Sequence, residues 1–382
     1  MSRSVSPVDE QLARLASDEG HPTTPRQIER WREKGLLPPN ERVFPGRGSS
    51  ATAAAGTIEL VRWLSQNARR GRRPADLALL ALAEGLPVPE GTVRDAFVAA
   101  VRRPILSVER GFPEGAEPED IAEAAADAGL AATVLPERVR RIDQSLEALG
   151  VDWALPGLGD LDPGPTGDPL TPKDWAYNAV LALLKGGGDL TIEQMAQMAR
   201  SVLPKNAVVP VAADMERNWP DNEADRELLL SESGGLSFIP EGDLRQQFEE
   251  YALNRPLEEL RNALQTAAQV AEWAERLCVG TEAELASNTP GPAAREWMIG
   301  SLVGPARLML TMGLRDADSS PSDLAFTAAL LLFMEDLLTH VQSLVPAANF
   351  DVLALPGVLP QCVLTMLGFG VPTTQTGPRS SR

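Results

Sequence analysis

The sequence predicts a mainly α protein: an N-terminal winged helix-turn-helix followed by an all-helical C-terminal domain. Three observations carry this. Ser or Thr followed by Pro marks a helix start four times, in SPVD from Ser6, TPRQ from Thr24, TPKD from Thr171 and SPSD from Ser320. In each, the hydroxyl can cap, proline takes the first helical position, and the fourth residue can cap back. Between Leu36 and Thr57 the helical pattern fails, and Arg42-Val43-Phe44 followed by Pro45-Gly46-Arg47-Gly48 reads as a two-stranded hairpin. Pro and Gly cluster again in LPGLGDLDPGPTGDP, residues 155–169, which is the best domain boundary in the chain.

Taken in order, apolar periodicity and capping place helices over 7–18, 25–34, 57–70, 74–84 and 90–103. Residues 6–86 form the winged unit, 87–154 a helical extension, and 155–171 a linker. Helices resume over 172–185, 192–203, 242–253, 256–278, 292–313, 322–344 and 352–368. They make 172–370 an acidic helical domain for regulation or oligomerisation. The last stretch, 371–382, reads as a disordered tail.

Composition excludes several classes of function. Cys278 and Cys362 stand far apart, and His21 and His340 are the two histidines, so there is little material for a disulfide framework, a zinc site or histidine chemistry. No metal and no cofactor is expected. DLDPGPTGD from Asp160 departs from the calcium-loop spacing, and Lys185 precedes its glycines instead of following them as in a phosphate loop. Adjacent carboxylates at Glu249-Glu250 and Glu258-Glu259 point about 100° apart on a helix and read as solvated faces. With no nucleophile constellation either, the chain is not expected to be an enzyme. A secretory leader and an uninterrupted apolar run of membrane-spanning length are both missing from the reading, which gives a cytoplasmic expectation and no membrane partner. The apolar stretch Leu324–Val345 is interrupted by Glu335, Asp336 and His340 and reads as a core helix. With Trp297, Met298, Met309 and Met312 it could also line a small-molecule effector pocket.

The net charge of −18 is unevenly spread. Residues 1–110 hold 17 Lys and Arg against 13 Asp and Glu, whereas residues 111–382 hold 18 against 40. A basic head therefore carries an acidic body. Phosphates would attract the first and be repelled by the second.

The function-bearing segment is HPTTPRQIERWREKGLLPP, residues 21–39. Thr24 caps, Pro25 starts the helix, and Gln27 can complete a capping box. Ile28 and Trp31 form the inner face, expected to pack on Leu12 and Leu15 of the first helix, while Arg26, Gln27, Arg30 and Lys34 fall outside. Arg and Gln can make bidentate bonds to guanine and adenine edges, and such a helix fits a major groove about 12 Å wide. Gly35 ends the helix and Pro38-Pro39 prevents its continuation. Farther on, Arg69-Arg70-Gly71-Arg72-Arg73 concentrates four cations around a glycine, a pattern suited to phosphate contact.

REKGLLPP at Arg32–Pro39, the Arg-bearing hairpin after it, and the helix pair from Thr57-Ile58-Glu59-Leu60-Val61-Arg62 through NARRGRRPADLALLALAEG together resemble the MerR-type transcriptional regulators. The resemblance covers roughly residues 8–85. It implies a recognition helix bearing Thr24, Arg26, Gln27, Arg30 and Lys34, a wing gripping phosphate through Arg42 and Arg47, and a homodimer on double-stranded DNA in the bacterial nucleoid. Departures are specific. Glu29, Arg30 and Trp31 stand where the family usually has Arg-Tyr-Tyr, the wing is richer in Gly, Ser and Ala, and the long dimerisation helix is not evident after the fourth helix. The expected mechanism has Arg69, Arg70, Arg72 and Arg73 clamping the backbone beside the groove, with a protein partner or effector for the C-terminal domain. Two rival readings are an architectural or recombination accessory protein that bends DNA, and an acidic interaction scaffold whose head no longer binds it.

Overall fold

The computed structural model describes residues 6–43, 50–69, 71–109, 112–113, 115–128, 137–150, 172–185, 243–302, 304–316, 320–344, 351–354 and 357–369. It is mainly helical. The chain opens with α1 (Pro7–Asp18) and α2 (Pro25–Glu33), a two-stranded ribbon of β1 (Glu41–Val43) and β2 (Ser50–Thr52), then α3 (Thr57–Asn67), α4 (Pro74–Ala83) and α5 (Glu90–Glu109). Next come α6 (Pro118–Asp127), α7 (Glu137–Ala148) and α8 (Pro172–Lys185). The remaining helices are α9 (Leu244–Asn254), α10 (Leu257–Ala286), α11 (Pro292–Leu302), α12 (Gly304–Asp316), α13 (Pro321–Leu344) and α14 (Gln361–Met366).

Two compact units result, and neither is a single stretch of chain. The first comprises Met1–Gly111, Arg245–Ala267 and Asp318–Leu330; the second comprises Phe112–Leu244, Ala268–Ala317 and Leu331–Arg382. In the first, α1 packs on α2 and α3, α3 on α4, and α4 on α5. Its core is closed by Leu12, Ile28, Leu60, Leu64, Leu79 and Phe97, all essentially inaccessible. The later segments complete it. Phe248 of α9 meets Phe326 of α13 edge to face at 5.8 Å, and the Arg94 guanidinium of α5 donates to the carbonyls of Ala252 and Arg255, satisfying the end of α9.

The second unit gathers Val139, Ile142 and Leu146 of α7, Trp273 and Leu277 of α10, Trp297 of α11 and Leu310 of α12 into one core. Arg307, only 1% exposed, is neutralised there by Asp143, which also accepts from the Trp297 indole at 2.9 Å. Such a buried cation is tolerable because its charge and donors are answered. Along the same unit, Arg138 pairs with both Glu275 and Glu282 of α10, at 2.7 and 2.9 Å. The Glu284 carboxylate accepts from the backbone N–H groups of Gly291, Ala293 and Ala294, covering the open start of α11.

Several expected elements change. The stretch 292–313 is two helices, α11 and α12, with Pro305 near the start of the second, where its missing N–H costs nothing. Helix 352–368 is replaced by a 3-10 turn, Asp351–Ala354, and the short α14, whose N-cap Pro360 has no N–H to give a continuing ladder. Conversely, α5 continues past Pro104 to Glu109, and α10 runs to Ala286 instead of stopping at 278. Leu15 is 42% exposed and does not share in the contact with α2: the buried stripe of α1 is Val8, Asp9, Leu12, Ala13 and Ala16, and Leu15 lies to its side. The linker 155–171, the helix expected over 192–203 and the tail 371–382 lie outside the described residues. By length and composition alone α13 could cross a membrane, with mean hydropathy 1.6, and half of that stretch is buried inside the protein.

Candidate nucleic-acid interface

The first turn of α2 is fixed by reciprocal hydrogen bonds. The Gln27 backbone N–H donates to Thr24 Oγ1 at 3.3 Å, while Gln27 Oε1 accepts from the Thr24 N–H at 2.7 Å and from the Thr24 hydroxyl at 3.0 Å. This is a complete capping box with Pro25 beside it. Substituting such a cap typically costs about 1 kcal/mol. By contrast, Ser6 makes no side-chain cap for α1; its hydroxyl accepts from Asn40 Nδ2 at 3.5 Å, and the Asp9 carboxylate is taken by Arg32.

Asp9 is buried and receives the Arg32 guanidinium at 2.6 Å. Arg32 also donates to the Pro38 carbonyl, so a single side chain ties α1, α2 and the irregular segment before the ribbon. Ile28 and Trp31 are buried on the same inner side. At the far end, Leu36 N–H bonds back to Trp31 O at 2.9 Å and Gly35 N–H to Arg32 O at 3.0 Å, the six-to-one closure that stops a helix at a left-handed residue. Gly35 has φ +72°, and a Cβ there would lie 2.5 Å from Thr92 Oγ1. Thr92 donates to the Gly35 carbonyl at 2.8 Å, which pins the end of α2 to α5. Only glycine serves this turn.

With its inner side so committed, α2 turns Arg26, Gln27, Arg30 and Lys34 outward; all four are exposed, as is Thr24. Among the described residues, Arg26, Arg30 and Lys34 have no acidic partner. Their guanidinium and ammonium donors are therefore available. Glu33 is exposed as well, standing three residues from Arg30 and seven from Arg26, on the same strip of helix surface. Sequence reasoning missed it, although its spacing was readable.

The ribbon is antiparallel, with Glu41 opposite Thr52, Arg42 opposite Ala51 and Val43 opposite Ser50. Arg42 is exposed, and alternation puts it on the face opposite Glu41. Arg47 lies outside the described residues, as does Arg70.

The turn between α3 and α4 is less uniform than its composition. Arg69 is exposed. Arg72 is exposed but reaches Asn67, donating to its backbone and side-chain oxygens at 3.3 and 3.4 Å near the end of α3. Arg73 is held by Asp76 at 3.1 Å. Asp76 is buried and its other oxygen accepts from Ser322 of α13 at 2.6 Å, so Arg73 belongs to a structural network. Nearby, Arg62 of α3 pairs at 2.5 Å with Glu19, the residue that caps the end of α1.

Burial raises the thiols of both cysteines above their ordinary value. Cys278 is buried in the second unit, and burial pushes its thiol up to about 12. A thiol so poised is almost wholly protonated near neutral pH.

No protein-family model, curated protein or solved structure matches this chain.

Proposed function

We propose that this chain is a sequence-specific DNA-binding transcriptional regulator of MerR type, acting as a homodimer on double-stranded DNA in the bacterial cytoplasm, and not an enzyme. The observation that carries the reading is α2: a rigidly capped helix of nine residues, locked inward through Ile28, Trp31 and Arg32, that presents Arg26, Arg30 and Lys34 outward without acidic partners among the described residues. Its first helix, its glycine turn and an Arg42-bearing antiparallel ribbon follow the order of a winged helix-turn-helix. Arg26, Arg30 and Lys34 enter a major groove, Arg42 and Arg47 grip phosphate, and Arg69, Arg70 and Arg72 hold the backbone nearby. Arg73 joins them only with the charge that Asp76 leaves over. The second unit, with its excess of carboxylates, stays off the duplex and receives an effector or a protein partner.

Selection of bound sequences from a random duplex library with the full-length protein, followed by affinity at two salt concentrations, tests this. The expected result is a defined motif of two related half-sites with salt-sensitive binding. Uniform binding to all duplexes would support an architectural protein instead, and failure to bind any duplex would leave the scaffold reading.

A further inference from the structure

The capping box that starts α2 also decides what the helix can read. An amide oxygen has two lone pairs, and those of Gln27 Oε1 are taken by the Thr24 N–H at 2.7 Å and the Thr24 hydroxyl at 3.0 Å. What remains to Gln27 is its Nε2 amide, a pair of donors. Adenine recognition by a carboxamide needs one acceptor for N6–H and one donor for N7 together. Gln27 supplies only the second, and α2 carries no other carboxamide.

The rest of the exposed surface is specific in the other direction. Arg26, Arg30 and Lys34 carry donors alone, which match the paired N7 and O6 acceptors of guanine. Exposed Glu33, on the strip with Arg26 and Arg30, supplies the acceptor that cytosine N4–H calls for. No exposed residue of α2 itself is apolar, and the methyl group beside this face is that of Thr24 at the N-cap, whose hydroxyl is turned to Gln27. Both bases of a G·C pair find their complement on α2, whereas the adenine of an A·T pair finds no bidentate carboxamide there.

Resting on the DNA-binding reading above, we infer that α2 selects G·C base pairs and that the Thr24–Gln27 capping box is the specificity-determining element, because it withdraws the Gln27 oxygen from the groove. The ribbon and the α3–α4 turn do not bear on this choice, since phosphate contacts carry no base information.

The experiment uses the full-length protein and its own selected duplex, with single purines replaced by their 7-deaza forms. This substitution removes only the N7 acceptor in the major groove. Replacing a half-site guanine by 7-deazaguanine is expected to weaken binding about tenfold or more at one or two positions, the scale of a lost bidentate contact. Replacing half-site adenines by 7-deazaadenine is expected to change affinity less than about twofold. Gln27→Glu, which keeps a capping acceptor and removes the Nε2 donors, is expected to retain the same G·C motif. A half-site adenine whose 7-deaza form costs about tenfold, and whose preference disappears in Gln27→Ala, would overturn the inference while leaving DNA binding intact. Recovery of no motif would overturn the sequence-specific reading and this inference with it.

Discussion

Two clusters of arginine in the first unit look alike in the sequence and differ in the fold. On α2, Arg26 and Arg30 stand exposed with no acidic partner among the described residues, because the helix satisfies its inner side through Ile28, Trp31 and the Arg32–Asp9 pair. At the α3–α4 turn, Arg73 is bound to buried Asp76 and Arg72 leans on Asn67. Exposure is similar, yet commitment is not. A cation that already neutralises a buried carboxylate must abandon it to reach a phosphate, and that desolvated carboxylate makes the exchange unfavourable. What the contrast teaches is that a basic run is a candidate contact only after its internal partners are counted.

The comparison can be broken most severely at Arg32. Arg32→Ala leaves the Asp9 carboxylate buried and unpaired, so a loss of about 3 kcal/mol in denaturant unfolding is expected. Arg30→Ala, two residues away, is expected to stay within about 0.5 kcal/mol of the parent. Equal stability losses would mean that the inner and outer sides of α2 are not distinct as described.

Binding reverses the order of those two positions. Arg30→Ala is expected to weaken the selected site by about 1–3 kcal/mol and to relax base preference, read as affinity for the site against single-base variants. Thr24→Ala falls below this, costing about 1 kcal/mol of stability through the lost cap. Thermal unfolding of this variant alongside the parent checks it.

The smallest and most discriminating effects belong to the turn. Arg72→Ala is expected to weaken all duplexes alike and to reduce the slope of log affinity against log salt by roughly 0.9, one phosphate contact. Arg73→Ala should change that slope less, since its charge is shared with Asp76. If the two variants gave the same slope, the distinction between committed and uncommitted cations would fail at this corner.

Local chemistry explains what was legible. The capping residues announced α2 and α13: Thr24 closes its box with Gln27, and the Asp323 carboxylate accepts from the Ser320 N–H and hydroxyl at 3.0 and 2.8 Å. Helical spacing placed Ile28 and Trp31 inside and Arg26, Arg30 and Lys34 outside. The same spacing misled at Leu15, where an apolar residue three beyond Leu12 falls beside the buried stripe. Long-range choices left no local mark. Nothing around Asp9 tells that it answers Arg32 instead of capping α1, and nothing around Asp76 tells that Ser322, 246 residues later, completes it. Prolines were ambiguous for a related reason: Pro104 is carried within α5, while Pro360 stands at the start of α14. Packing decides whether one missing N–H is tolerated.

The discontinuous build of the first unit has a consequence for its birth on the ribosome. Its closing pieces, Arg245–Ala267 and Asp318–Leu330, emerge long after Gly111. At typical synthesis rates of about 5–20 residues per second, that delay is on the order of ten to forty seconds. Throughout that interval Arg94 has no Ala252 or Arg255 carbonyl to donate to and buried Asp76 has no Ser322, so a nascent or truncated chain holds an unfinished unit. The unit that contains α2 is thus complete only once residue 330 has been made.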